Sequence, residues 1–172
     1  MLVIDRFDRT AAGHRVGYVS ALTMLEARDH QIRSYLEVAE VIEERSSAAT
    51  SELEELWRRI VFSVLISNTD DHLRNHGFLH AGARNWRLSP AFDLNPNPAP
   101  GQKFLRTAID ETNPRASVDL ALEVAPWFRL DPAGADRVLG EVRNAVAEWR
   151  TVAAGTGLSR RDIDAMTPAF EP

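Results

Sequence analysis

The chain contains no cysteine, which excludes disulfides and thiolate–metal sites and permits a reducing compartment. It is almost without lysine as well: nineteen of its twenty basic residues are arginine, and Lys103 is the exception. A Walker phosphate loop requires Gly-Lys, and Lys103 follows Gln102, so that loop is excluded. A Schiff-base enzyme requires a lysine in a pocket, so that chemistry keeps one candidate. No apolar run approaches the roughly 18 residues of a membrane span, and the first residues carry no secretory-signal pattern. Excess positive charge is absent too. The net charge of −5 gives no basic footprint for direct contact with nucleic acid. What remains is 172 residues, 44% hydrophobic and 26% charged, the size and composition of one globular domain or one lobe of a larger enzyme.

Hydrophobic periodicity makes the fold mainly α. Met1 to Phe7 reads as a short N-terminal strand and Asp8 to Gly17 as a polar turn. Residues 34–45 place Tyr35, Leu36, Val38, Ala39, Val41 and Ile42 on one helical stripe behind Ser34 as N-cap. The clearest helix follows. Ser51 and Glu54 have capping-box spacing, and Leu53, Leu56, Trp57, Ile60, Val61, Val64 and Leu65 recur along one face until Ser67-Asn68. Later helices are expected over Ser117–Phe128, interrupted at Pro126, and over Pro132–Arg150, with Val138, Leu139, Val142, Val146 and Trp149 inward. Ser159 with Asp162 caps a last short helix that Pro168 ends. At helical spacing, Trp127, Phe128 and Trp149 read as core rather than as an exposed anchor.

Residues 68–100 interrupt this pattern. They are polar, with prolines at 90, 96, 98 and 100, and two short strands, Gly77–His80 and Asn85–Leu88, flank the turn Ala81-Gly82-Ala83. The stretch concentrates oxygen donors: Asn68, Asp70, Asp71, Asn75, Asp93 and Asn95. Phosphoryl transfer is one chemistry that needs them. One carboxylate orients the attacking hydroxyl, while an amide oxygen and a second carboxylate hold Mg²⁺ on the phosphates. Asp70 and Asn75 have the Asp-x4-Asn spacing of kinase catalytic loops, and Asp93 follows the hairpin. A histidine metal site is a second chemistry, since His72, His76 and His80 fall four residues apart. Asn75 and Gly77, however, break a helical register there. The third reading is a solvated, turn-forming loop without chemistry.

Asn68-Thr69-Asp70-Asp71-His72-Leu73-Arg74-Asn75 resembles the Asn-x-Asp-x-His-x-Lys-Asn signature of HipA-like kinases, the toxins of HipBA-type toxin–antitoxin pairs. Leu88-Ser89-Pro90-Ala91-Phe92-Asp93 is similar to their Ser/Thr-Pro-x-Tyr/Phe-Asp motif, and Ile4-Asp5-Arg6-Phe7-Asp8-Arg9 to their hinge segment. Gly17-Tyr18-Val19-Ser20-Ala21 and Ser34-Tyr35-Leu36 also match. The resemblance implies a single C-terminal, protein-kinase C-lobe-like helical domain over 1–172. Its hinge would be 1–9, its catalytic and metal-binding loops 68–100, and its C-terminal helices 117–168. It implies Asp70 as the catalytic residue, Asn75 and Asp93 as Mg²⁺ ligands, and Asp5, Arg6, Phe7, His72 and Arg74 beside the ATP. Arg74 stands where Lys is usual, and Asp5 where Glu is usual. Asp71 adds a negative charge next to Asp70, which would raise the pKa of whichever is less solvated.

The other half of a kinase site is a Gly-rich loop and a strand lysine on the phosphates. Gly155 and Gly157 come closest to Gly-x-Gly-x-x-Gly, but Arg160 occupies the third position; Lys103 lies on the wrong side of Asp93 and reads as a solvated surface residue. The expectation is a catalytic lobe that is weak or inactive without its N-terminal lobe, supplied in the same polypeptide or by a separate chain. A non-catalytic module that sequesters an antitoxin or a substrate is the alternative. The resemblance also implies a cytoplasmic protein with a HipB-like antitoxin and a protein substrate such as an aminoacyl-tRNA synthetase, glutamyl-tRNA synthetase being the family's type. Contact with DNA would come only through the antitoxin, and none with a membrane is expected.

Overall fold

The structure, a computed structural model, describes residues 5–111 and 113–171. Its elements run β1 (Tyr18–Ser20), α1 (Ala21–Met24), α2 (Tyr35–Arg45), α3 (Ala49–Leu65), β2 (Gly77–His80), β3 (Trp86–Leu88), α4 (Val118–Val124), a 3-10 turn (Ala125–Phe128), α5 (Pro132–Ala147), α6 (Trp149–Gly155) and α7 (Arg160–Phe170). The fold is mainly α with one small antiparallel sheet.

The long apolar stripe becomes the central helix α3, which packs against α2, α4, the 3-10 turn and α5. Leu53, Leu56, Trp57, Ile60 and Val61 are fully enclosed. Each aliphatic member contributes roughly 1.5–3 kcal/mol of transfer free energy, set against the entropy of ordering the chain. The Trp57 indole N–H donates to the Ala121 carbonyl at 2.8 Å, which ties α3 to α4 without leaving a buried donor unpaired.

Several boundaries differ from the periodicity. Helix α3 begins at Ala49, so Ser51 lies inside its first turn, where its hydroxyl donates to the Ala48 carbonyl instead of accepting as an N-cap. Glu54 accordingly faces Arg137 and Arg58. Helix α5 stops at Ala147, and the chain restarts as α6, which turns Trp149 away from the core. Trp149 stacks on Phe170 of α7 at 4.4 Å, with the Arg150 guanidinium 4.5 Å over its ring. Helix α7 runs two residues past Pro168. Phe128 is core, whereas Trp127 is 60% exposed.

The sheet has the order β1-β2-β3. Strands β2 and β3 form the expected hairpin, with Phe78 opposite Leu88 and His80 opposite Trp86. Strand β1, only three residues long, adds to the other edge of β2, with Ser20 opposite Gly77. That pairing requires glycine: a Cβ at Gly77 would lie 2.2 Å from the Tyr18 ring. Most of the strand expected over Met1–Phe7 falls outside the described residues, and Asp5 and Arg6 have no regular structure. Residues 8–16 instead form a tight reversal, closed by an Arg9–Arg15 bridge and the Val16 N–H to Asp8 carbonyl bond. Among the described residues, no helix is long and apolar enough to cross a membrane.

Candidate functional site

The loop from Ser67 to His76 connects the end of α3 to β2. Ser67 turns it with φ +53°, and Asn68 is fully buried, its N–H donating back to the Ser63 carbonyl at 2.8 Å. Sheet and loop are laced together: the Ala21 N–H donates to the His76 carbonyl at 2.7 Å, and the Leu22 N–H to that of Leu73 at 3.2 Å.

The two adjacent aspartates face opposite ways. The Asp71 side chain is 1% exposed and that of Asp70 is 71% exposed. Asp71 Oδ2 accepts from the Tyr35 hydroxyl at 2.5 Å and from the Ser63 hydroxyl at 3.2 Å, while its backbone carbonyl accepts from Thr107 at 2.8 Å. His76 Nε2 lies 2.9 Å from Asp71 Oδ1, but the ring N–H is not aimed along that line. The contact is therefore a close approach rather than an aligned hydrogen bond. Burial pushes the Asp71 carboxyl up, and His76 with the Tyr35 and Ser63 hydroxyls outweighs it, leaving the group below its ordinary value. This reverses the expectation that crowding beside Asp70 would raise the less solvated carboxyl. The turn separates the two side chains, and two hydroxyl donors and the His76 ring surround the inner one. The same burial and the Asp71 charge hold the Tyr35 phenol far above its ordinary range.

With Asp71 pinned inside, Asp70 projects outward, 3.7 Å from the Arg106 guanidinium. Asn75 is bound to the same turn, its Nδ2 donating to the Asp70 carbonyl at 3.3 Å. That orientation directs the amide oxygen elsewhere and leaves it available as an acceptor, since two oxygens would repel if the amide were flipped.

Asp93 sits on the loop after β3 with φ +58°, a left-handed conformation that Asp tolerates better than most residues. Its carboxylate is exposed, and Oδ1 accepts from Asn95 at 2.7 Å. No hydrogen bond joins Asp93 to Asp70 or Asn75 among the described residues, but their loops are tied nearby. Asn97 donates through its backbone to the Ser67 carbonyl at 3.2 Å and through Nδ2 to Thr69 at 2.8 Å. The preceding Phe92 packs on Phe7 at 5.7 Å, and Phe7 also packs on Tyr18 at 6.0 Å. The structure thus brings residues 5–9 against the segment that carries Asp93.

The HipA-like C-terminal domain family matches residues 1–149. The chain belongs to that family. A Sinorhizobium fredii protein named "Putative kinase Y4dM" is 35% identical over 95 residues, which is 54% of this chain and 23% of that protein. A Haemophilus influenzae protein named "Putative kinase" is 29% identical over 101 residues, 54% of this chain and 29% of that one. The chain therefore matches less than a third of the length of either relative.

The side chains at other signature positions of this HipA-like domain make no hydrogen bond or ion pair with the Asp70 or Asn75 side chain among the described residues. Arg74 forms a two-pronged ion pair with Asp29. His72 lines a cavity of about 300 Å³ together with Arg74 and Arg106, and its buried Nδ1 has no hydrogen-bond partner. Asp5 and Arg6 are exposed, and Arg6 grips Asp8 through Nε and Nη2, which holds the Asp8 carboxyl at about 2. Lys103 is half-buried rather than solvated, its ammonium capping the Asn97 and Ala99 carbonyls. Pro96, Pro98 and Pro100 remove local N–H donors from that loop, which leaves its carbonyls in need of such a cap.

Among the described residues, no three His, Asp or Glu side chains converge on a possible metal position. The histidines diverge because Gly77 begins a strand: His76 is buried beside Tyr35, and His80 lies exposed against Trp86. A Mg²⁺ bound chiefly by phosphate oxygens and water needs only one or two protein oxygens, and the Asn75 amide with the Asp93 carboxylate fits that donor set. Sequence reasoning missed Tyr35, Ser63 and His76 as supports of the site, and Arg106 as a neighbour of Asp70. Only the Ser34-Tyr35-Leu36 match hinted at any of them.

Proposed function

We propose that this chain is the catalytic lobe of a HipA-like, ATP-dependent serine/threonine protein kinase. The observation that carries the reading is the paired fate of Asp70 and Asp71. A buried, multiply bonded carboxylate fixes the turn, so that its neighbour stands in solvent, 3.7 Å from the cavity-lining Arg106, with Asn75 bound to the same peptide unit. Family membership and the names of the two relatives support the same class.

In this reading Asp70 orients the attacking hydroxyl and accepts its proton. Asn75 Oδ1 and the Asp93 carboxylate would hold Mg²⁺, which when bound neutralises charge on the phosphates. The backbone of Asp5 to Phe7 would meet the adenine, held against the Asp93 segment by Phe7–Phe92 packing, and His72 and Arg74 would border the nucleotide. The missing phosphate clamp would come from an N-terminal lobe with a Gly-rich loop and a strand lysine, in cis or in trans. A cytoplasmic toxin role, a HipB-like antitoxin that alone contacts DNA, and an aminoacyl-tRNA synthetase as substrate follow from the family and belong to the same proposal.

A non-catalytic binding module is the second reading; Lys103, committed to loop carbonyls, does not supply the clamp under either. Adding an N-terminal lobe in trans separates the readings. The kinase reading expects Mg²⁺-dependent phosphoryl transfer from ATP that is abolished by Asp70→Ala or Asp93→Ala. Transfer that survives both substitutions refutes the site, and absence of transfer with any N-terminal lobe favours the module.

A further inference from the structure

The cavity of about 300 Å³ beside Asp70 has a charge opposite to that of the whole protein. Arg28, Arg33, Arg74 and Arg106 line it against a single aspartate, Asp29, in a chain of net charge −5. Leu22, Leu73 and Leu105 give it an apolar floor. Two of the four guanidiniums are already matched, Arg33 by Glu37 and Arg74 by Asp29. The other two are not satisfied in this way. Among the described residues no carboxylate pairs with Arg28, and the only carboxylate near Arg106 is Asp70, at 3.7 Å and exposed. His72 adds a buried ring nitrogen without a hydrogen-bond partner.

Two guanidinium forks without a fixed partner, in a concave site with an apolar base, suit an oxyanion carried on an extended chain. Position gives this chemistry a purpose. Arg106 borders both the cavity and Asp70, so a group held by the arginines places its neighbouring residues over the Asp70 carboxylate. Arg106 also shifts partner at little cost, because its contact with Asp70 is long and solvated.

We propose that this cavity is a substrate-specificity pocket that takes an acidic side chain, carboxylate or phosphate, of the phosphoacceptor protein within a few residues of the hydroxyl presented to Asp70. The assignment of a phosphoacceptor rests on the kinase reading; the affinity for an oxyanion does not.

The test uses the full chain, ¹⁵N-labelled, titrated with three peptides of one sequence around a central serine. The flanking positions carry glutamate, phosphoserine or glutamine. The glutamate or phosphoserine peptide should bind saturably, shift the amides of residues 28–33 and 105–108, and weaken as ionic strength rises. The relative strength of those two arms tells a carboxylate ligand from a phosphate one. The glutamine peptide should bind at least about tenfold more weakly, and Arg28→Ala with Arg106→Ala should weaken the acidic peptides by a similar factor. Both arginines are on the surface, so thermal unfolding of the double variant should match wild type, and Arg28→Glu with Arg106→Glu should abolish binding outright. Equal affinity for acidic and glutamine peptides, or an unchanged affinity in the double variants, overturns the proposal. So does loss of the acidic-peptide shifts at residues 28–33 on saturation with Mg²⁺-free ATP, which would give Arg28 and Arg106, and not only the His72 and Arg74 edge that borders the nucleotide, to the nucleotide phosphates. Loss of the kinase reading in the trans-complementation assay, with acidic-peptide binding intact, removes the phosphoacceptor and leaves the oxyanion pocket; the opposite pattern removes the pocket alone.

Discussion

Replacing Tyr35 by phenylalanine deletes one oxygen from a fully enclosed ring and opens almost no volume. The structure therefore isolates the worth of a single hydrogen bond, from the Tyr35 hydroxyl to Asp71 Oδ2 at 2.5 Å. A hydrogen bond to a charged group contributes roughly 1.5–3 kcal/mol net. The carboxylate would keep Ser63 at 3.2 Å and His76 at 2.9 Å, so it is not stripped of partners. That places the loss at about 2 kcal/mol, below the roughly 3–5 kcal/mol of an abandoned buried charge. For a chain of this length such a loss lowers Tm by about 4–8 °C. The effect must also depend on pH. The Asp71 carboxyl lies below its ordinary 3.8 in the fold, so its contribution is complete above that value and is lost as pH falls through the lower, folded one. Urea unfolding followed by circular dichroism should show the full gap between wild type and Tyr35→Phe at neutral pH and a smaller one below about pH 4. A loss under about 0.5 kcal/mol, or a gap that does not change with pH, would refute the account of how the Asp70 turn is held.

Asp93 separates stability from its proposed metal-binding role, because its φ of +58° suits glycine better than any side chain. Asp93→Gly should unfold no earlier than wild type and Asp93→Ala about 1 kcal/mol earlier in urea, while both lose Mg²⁺-dependent nucleotide binding by calorimetry. Gly77→Ala forces a methyl to within 2.2 Å of the Tyr18 ring, so the ring must leave Phe7; about 1–2 kcal/mol of stability should go with it, along with the aromatic ring-current shifts between Phe7 and Tyr18. Trp57→Phe leaves the Ala121 carbonyl without its 2.8 Å donor and empties part of the core, so about 2–4 kcal/mol should be lost in the same unfolding assay, and a loss below 1 would contradict the packing described.

Helix α3 was legible because seven apolar residues keep one face for more than three turns, a signal that local exceptions do not disturb. The β2–β3 hairpin was legible for a similar reason, with β-forming residues on both sides of Ala81-Gly82-Ala83. Strand β1 was not: three residues carry no period, and what makes it a strand is the room that Gly77 leaves on the neighbouring strand β2. The start of α3 was misplaced because Ser51 and Glu54 have the spacing of a capping box yet lie inside the helix, which Ala48 enters without any side-chain cap. At the site, the sequence pointed to Asp70, Asn75 and Asp93 through short-range spacing. It could not indicate that Asp71 meets Tyr35 across 36 positions, or that Arg106 approaches Asp70 across as many. Those contacts depend on how α2 and the segment after the Asp93 loop close over the turn, which no local pattern encodes.

The most direct test of the proposed phosphoryl-transfer site replaces Mg²⁺ with paramagnetic Mn²⁺ and follows ¹⁵N-labelled chain, complemented with an N-terminal lobe, in the presence of a non-hydrolysable ATP analogue. Selective broadening of the Asn75 side-chain amide and of the Asp93 backbone, absent in Asp93→Gly, is the predicted result. Broadening centred on His72, His76 and His80, or none that depends on nucleotide, would contradict it.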